Sequence, residues 1–549
     1  MTLKQTLLQI GRFVRETLQP DKTPARRLLV ACVVVFTIAV GVRLLHWQNN
    51  WLTIDNTMNK TAAGYKKEAQ FLTAGDFKSF IRGNSVEPDT SLLTHTPGYP
   101  IFIAASNLVT RNSTVALRLV HIALGAAATV LVLLIAAELL PLGAAVFAAL
   151  LAAISPQLSY YSLVLLPDSI TAVPLLIAMY LLVRARKRPN DRIIVGAGVC
   201  IGISCWLRAD LLLLAPFLCL LVPFLFPRER WLRYMAQLIT AFVITIAPIT
   251  IRNVIVFKSF IPLSLGTGIT SMEGIADYDP EKRFGMERYD HEVIRQEALI
   301  YNRPDYAEDL FRPDGIGRDR LRMGRAWGVI KANKLWFAGV MARRAGKMLT
   351  YESVSIISKE PSVSHPLDIS RGELVWHADP SNANAIKPEQ ITVQRNSDYV
   401  LNISLRTVGG RMVIKIMRVD SGKTLASATV PDSLDPTSAG AGEFTALQIP
   451  FVNSNADQVK IVVAELDDNS TNVGQLDLYR LGSASYIWTG YPRALAKTFQ
   501  KFFTTKWMLP LALAGTVILG FARRLDALAV VLVIPLYYIS THAPLHLEL

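Results

Sequence analysis

Long apolar runs alternate with two large polar stretches along this chain. Apolar runs near 28–46, 115–139, 142–156, 162–183, 193–207, 210–226, 234–251, 507–522 and 525–541 are read as nine membrane spans, several of them short for the roughly 20 apolar residues a crossing helix needs. Residues 193–226 are the informative case. One helix of that length would be about 51 Å long, too much for one span and barely enough for two. Two short helices are therefore expected, with Arg208-Ala209-Asp210 at the turn between them. The first polar stretch, residues 46–112, carries two short segments that read as surface-lying helices, then the turn Thr96-Pro-Gly-Tyr-Pro100. In the second, Gly317–Thr350 has helical spacing with nine Arg and Lys side chains, among them Arg318, Arg322 and Arg344, beside Trp327, Trp336 and Phe337. A basic helix with clustered aromatics predicts a surface helix touching anionic headgroups. Beyond it the period changes to two. Tyr399–Leu405, Arg411–Met417, Phe444–Pro450 and Gln458–Ala464 alternate between Gly, Asn, Asp and Ser turns. That spacing predicts an antiparallel β-sandwich.

The fold class expected is thus a polytopic α-helical membrane protein with an inserted extracytoplasmic all-β sandwich domain. Its parts are a cytoplasmic segment 1–27, a transmembrane core 28–251 with the long outer loop 46–112, an extracytoplasmic loop 252–365 with interfacial helices, the sandwich 366–485, and C-terminal transmembrane helices 486–549.

Composition agrees with the pattern. Of 549 residues, 51% are hydrophobic and only 18% charged, which a soluble protein rarely matches. The net charge of +14 is concentrated in short loops: residues 184–192, 227–233, Arg523-Arg524 and the basic N-terminus. With the N-terminus inside, all four fall on one side, as cytoplasmic loops do. Multi-pass placement in the inner (plasma) membrane follows, with the large loops and the β-domain periplasmic or otherwise extracytoplasmic. The run Leu28–Leu45 is read as a retained helix, with no small-residue cleavage site after it. Nothing resembles a nucleic-acid-binding motif, and the four cysteines sit in apolar runs without metal-ligand spacing.

Ionisable groups at span depth are costly enough to need a reason. Arg43, Arg118, His121, Asp168, Arg208, Asp210 and Arg252 all fall at the outer ends of their spans under this topology. Clustering on one face points to a shared polar cavity for an anionic ligand. The alternatives are a transporter or flippase for lipid-linked sugars, and a catalytically inactive membrane scaffold displaying the sandwich. No inverted repeat with interrupted helices favours the former.

The residues also carry a resemblance. Tyr65–Gly75, Thr96–Ala104, Ala116–His121, Ser155–Asp168, Gly198–Asp210 and Pro248–Asn253 with Phe260–Ser264, in that order, resemble the motifs of GT-C-fold, polyprenyl-phosphate-dependent glycosyltransferases of the protein-mannosyltransferase type. Ala209 stands where the family has Pro, and Thr61 and Ala62 stand where it usually places the catalytic acid before the loop tyrosine. The resemblance implies a GT-C-like helix bundle and inverting transfer of a sugar from a polyprenyl-phosphate donor to a glycan, lipid or protein acceptor. Such transfer needs a carboxylate base, and cations to hold the departing phosphate. Asp55 is the leading base, with Asp168 and Glu68 as the other catalytic acids. Arg208, Arg252 and Arg118 are the phosphate-binding candidates, and Tyr65, His95, Tyr99 and Asn253 shape the pocket. The partners implied are the lipid-linked sugar, membrane lipids and the acceptor. No cofactor is required by the sequence, no metal ligands are assigned, and the need for a divalent cation is left open.

Overall fold

The computed structural model describes residues 16, 24–50, 54, 59–83, 88–351, 356–357, 372–378, 390–406, 412–430, 445–453, 455–465, 472–483 and 489–545. Asp55 lies outside the described residues. The chain divides into two units, residues 1–43, 58–354 and 502–549 in one, and 44–57 with 355–501 in the other.

The first unit is helical. Among the described residues, five helices are long and apolar enough to cross a membrane: α1 (Ala25–Asn50, which runs on into the second unit), α5 (Thr114–Leu139), α8 (Asp168–Ala185), α12 (Trp231–Phe257, with the turn leading into it) and α19 (Leu525–His542). A sixth appears if Tyr491–Gln500 (α17) and Thr505–Phe521 (α18) are counted together. Three of the nine expected spans, 142–156, 193–207 and 210–226, form helices shorter than these five. Helix α6 (Leu142–Ile154), followed by the short α7 (Pro156–Tyr161), has 13 residues, about 20 Å of rise. Helix α9 (Asp191–Leu207) has 17. Residues 209–225 form the second short apolar helix expected here, an irregular one in which 3-10 turns alternate with α10 (Leu214–Leu218) and α11 (Val222–Leu225), and in which Pro216 and Pro223 remove backbone donors. The expected turn at Arg208 is present: α9 ends at Leu207 and Arg208 is extended, φ −144° and ψ 128°.

The long polar loop of 46–112 forms α2 (Asn59–Thr73), α3 (Phe77–Arg82) and α4 (Gly98–Thr110). The Pro-Gly-Tyr-Pro segment opens α4, and Pro100 falls in the first turn, where a missing N–H costs nothing. A Cβ at Gly98 would overlap the carbonyl of Trp206, so only glycine lets α4 start directly on the last turn of α9. Arg43, 2% exposed, ties α1 to its neighbours. It donates from Nε to Ser162 Oγ at 3.0 Å, from Nη1 to Ala39 O at 3.0 Å and from Nη2 to Gly125 O at 3.0 Å.

Beyond α12 come α13 (Thr267–Ala276), α14 (Asp290–Ile300), α15 (Gly315–Ala332) and α16 (Lys334–Met348). The basic stretch read as a headgroup-touching helix is divided by the fold. Arg318, Arg322 and Arg344 are each about 1% exposed and bonded within the protein, while Arg320, Lys331, Lys334, Arg343 and Lys347 stay outside. Glu297 accounts for two of the buried three. Arg318 reaches its Oε2 at 2.8 Å and Arg322 its Oε1 at 2.6 Å. Helical spacing alone gives no sign of a carboxylate on α14, more than 20 residues away.

The second unit holds an antiparallel β region of two four-stranded sheets. One has the order β1 (Glu373–Ala378), β8 (Asn472–Ser483), β3 (Ser397–Arg406), β6 (Thr445–Asn453). The other has the order β2 (Gln390–Thr392), β7 (Gln458–Glu465), β4 (Met412–Arg418), β5 (Thr424–Val430). Alternate residues of both enter one apolar cluster, Tyr399, Leu401 and Ile403 from β3 with Ile414 and Ile416 from β4. The register β3–β6, Leu401 opposite Ile449, keeps that apolar set on one face.

Candidate functional site

Glycine at position 98 delivers Tyr99 to the end of α9, and a chain of rings grows from there. Tyr99 packs edge-on to Tyr65 at 4.9 Å between ring centroids, and Tyr65 lies 4.7 Å from the His95 ring. The Tyr99 hydroxyl shares a hydrogen bond of 3.1 Å with His121 Nε2. Leu117, Leu165, Ile170 and Leu207 close the apolar floor beneath these rings. Four separate stretches thus converge: α2, the lead into α4, the N-terminal half of α5 and the start of α8.

The charged groups border this floor. Arg208 pairs through Nη1 with Asp168 Oδ1 and through Nε with Asp210 Oδ1 at 3.2 Å. Among the described residues its Nη2 makes no hydrogen bond, and the side chain is 38% exposed. Asp168 opens α8, where a helix N-terminus favours a carboxylate. Asp210 is held from the other end of the chain. Tyr537 donates to its backbone carbonyl at 2.5 Å, and His542 Nε2 lies 3.6 Å from its Oδ2. Both come from α19, and no motif in the sequence singled out either residue. The available signal was a histidine ending an otherwise apolar helix.

Glu68 stands one turn after Tyr65 on α2, half-buried. Burial pushes its carboxyl up to about 7; Arg252 opposes that rise and Asp89 adds to it. Burial, with the Arg208 charge, lowers His95 below the ordinary imidazole range. Burial raises the Tyr65 phenol; Arg208 opposes this, and Asp168 and Glu68 add to it. Arg252 donates from Nε to Ile81 O at 3.2 Å and from Nη1 to Asn253 Oδ1 at 3.0 Å.

The remaining site candidates are placed differently. Asn253 is fully buried and donates to Ile261 O at 2.9 Å and Leu263 O at 3.2 Å, bracing the turn after α12. Arg118 is 3% exposed and donates to Leu163 O at 3.0 Å, beneath the rings. Arg43 is bonded into the helix contacts described above and joins no part of this group. Among the described residues no three His, Cys, Asp or Glu side chains gather as metal ligands. What the arrangement offers is a buried cluster of rings bordered by the partly exposed guanidinium of Arg208 and the half-buried carboxyl of Glu68.

Residues 94–251 match the model of a protein family described as dolichyl-phosphate-mannose-protein mannosyltransferase. Over that stretch the chain resembles the GT-C-type mannosyltransferases. The matched residues include His95, Tyr99, Arg118, Asp168 and Arg208, while Tyr65 and Glu68 precede them and Arg252 follows. Together with the apolar helices, the match indicates a multi-pass membrane protein of the glycosyltransferase kind. No curated protein matches the chain.

Proposed function

We propose that this chain is an integral-membrane glycosyltransferase with a GT-C-like bundle, moving a sugar from a polyprenyl-phosphate donor to an acceptor hydroxyl at the extracytoplasmic face. The observation that carries the reading is Arg208. Two carboxylates fix its Nε and Nη1, and Nη2 remains for a phosphate oxygen. A guanidinium held in place in this way is suited to a phosphate oxygen, and its charge matters most when the phosphate leaves. In the transfer, the acceptor oxygen forms a bond to the sugar's anomeric carbon, the bond from that carbon to the phosphate oxygen breaks, and the acceptor proton passes to a carboxylate. Inversion follows from the single displacement. Among the described residues Glu68 is the best-placed base, because its carboxyl is pushed up to about 7, near the operating pH a general base needs. Arg252 steadies it, Tyr65 and Tyr99 line the sugar's place, and Asp168 positions Arg208. The acceptor is a glycan, lipid or protein hydroxyl.

Purified chain incubated with polyprenyl-phosphate sugars is expected to release free polyprenyl phosphate. No release across such donors would sink the reading. Arg208→Ala removes one charge-assisted contact and is expected to weaken donor binding by about tenfold to a hundredfold. Titration of folded, detergent-solubilised variants with donor lipid checks this. Unchanged affinity would leave Arg208 as a partner for Asp168 and Asp210 only.

The two sheets over one shared core support an inserted sandwich, serving as a lid or partner-docking module. The proposed placement has the N-terminus cytoplasmic, with the loop after α12 and the β region extracytoplasmic, in the inner membrane of a bacterium. Cysteines placed singly at Arg188 and Ser421, both exposed, are expected to differ in labelling by an impermeant thiol reagent in cells with a permeabilised outer membrane. Only the Ser421 position should react; equal labelling would overturn the topology.

A further inference from the structure

Helix α17 sorts its residues the wrong way round for a helix in water. Tyr491, Leu495 and Phe499, spaced i, i+4, i+8 on one stripe, are 91%, 62% and 48% exposed. The opposite stripe, Arg493, Ala496 and Gln500, is 2%, 6% and 0% exposed. A helix at a protein–water boundary buries its apolar face and wets its polar one. Here the polar side chains are the ones used for internal contacts. Arg493 donates to Gln48 Oε1 at 3.0 Å and to Asn49 Oδ1 at 2.8 Å, and Gln500 meets His46 Nε2 at 3.0 Å. Thr489 adds a bond to Gln48 Oε1 at 2.8 Å.

We propose that α17 lies in the membrane interface, with Tyr491, Leu495 and Phe499 in the boundary between headgroups and acyl chains. Its partner is the lipid surface. Apart from the Ile357 N–H, which donates to Gln500 Oε1 at 3.0 Å, these polar anchors belong to the last two turns of α1, a helix with the length and composition of a span, so α17 continues from the level at which that span leaves the hydrocarbon. Lys497 and the exposed Lys501 at its C-terminal end supply the cations that lipid phosphates favour. The large apolar residues facing outward are those that insert, and Tyr491 is of the amphipathic aromatic type that settles at headgroup depth. The inverted sorting then has a physical cause. The outward face meets an apolar phase, and the inward face satisfies polar groups that could not be left there unpaired.

The test uses the full chain in phosphatidylcholine–phosphatidylglycerol nanodiscs. A bimane fluorophore is attached at Leu495→Cys, with Ser421→Cys as a water-exposed reference. Wild-type chain labelled in parallel subtracts the four native cysteines. The label at position 495 is expected to be quenched several-fold more strongly than the one at 421 by lipid carrying a nitroxide near the headgroup, and several-fold less by aqueous iodide. Iodide quenching equal to that at 421 would overturn the proposal. So would protection from both quenchers, which would assign the face to a second copy of the chain. The outcome is independent of whether the chain transfers sugar.

Discussion

Glu68→Gln is expected to lower turnover by about 10² to 10⁴ while leaving donor binding nearly intact, because it keeps the side chain's size and removes only the proton acceptor. The pH profile gives a sharper reading. A base must be ionised to accept a proton, and the Glu68 carboxyl is pushed up to about 7. The rate should therefore fall about tenfold per pH unit below that value and level off above it. Arg252 holds the Glu68 value down against burial. Arg252→Ala should accordingly move the acid limb to higher pH, and a merely structural arginine would lower the plateau without moving it. Asp55→Asn is the companion variant. An acid limb in the ordinary carboxylate range, near 4, that disappears in Asp55→Asn would transfer the role of base to Asp55. Full turnover in Glu68→Gln would do the same by another route.

Much of this site could be read from the chain, for a physical reason. Charged groups are so costly at span depth that Asp168, Arg208 and Asp210 stood out against their apolar surroundings. The turn at Arg208 followed from length alone. The strands now seen at Ser397–Arg406, Met412–Arg418, Thr445–Asn453 and Gln458–Glu465 were visible because a period of two is local information. What could not be read was pairing across distance. Asp168 meeting Arg208, and α19 reaching Asp210 from more than 300 residues away, leave no trace in spacing. Asn253 enters the pocket only through the resemblance of Pro248–Asn253 to a family motif, while its two bonds to Ile261 and Leu263 brace the turn after α12. The short apolar runs at 142–156 and 193–207 are ambiguous in sequence. Hydropathy reports that a segment avoids water, and cannot say whether lipid or other helices cover it.

Glu297→Gln is expected to cost about 3–5 kcal/mol, the loss typical when one member of a buried charge cluster is removed. Glu297 is 2% exposed and accepts from both Arg318 and Arg322, each about 1% exposed. Glutamine keeps the shape and leaves two guanidinium cations in the interior without a counter-charge. Backbone carbonyls remain for them, Tyr306 O at 3.0 Å for Arg318 and Leu310 O at 2.9 Å for Arg322, but dipoles do not neutralise a charge. Thermal unfolding of the solubilised protein and protease sensitivity of residues 290–350 measure the effect. An unchanged midpoint would mean that water reaches the cluster. The same pair predicts acid sensitivity. Burial pushes the Glu297 carboxyl up, but its bonds from Arg322 and then Arg318 outweigh that and hold it below the usual carboxylate range. The pair's contribution is complete above the unfolded value of about 4.3, and is lost as pH falls through the lowered folded value.

Arg43 carries a consequence for how the molecule is made. Its bond to Ser162 Oγ joins residues 119 positions apart. Helix α1 is synthesised first, and at that moment the guanidinium has only the carbonyl of Ala39, within the same helix. An arginine so placed costs about 2.5–3.5 kcal/mol at the centre of a bilayer, and less near its edge. The penalty persists until α5 brings Gly125 and the turn before α8 brings Ser162, about 6–24 s of translation later at roughly 5–20 residues per second. During that interval α1 is a provisional resident of the membrane. A truncated or misassembled chain keeps the uncompensated cation, and with it the cost of holding that charge in the bilayer.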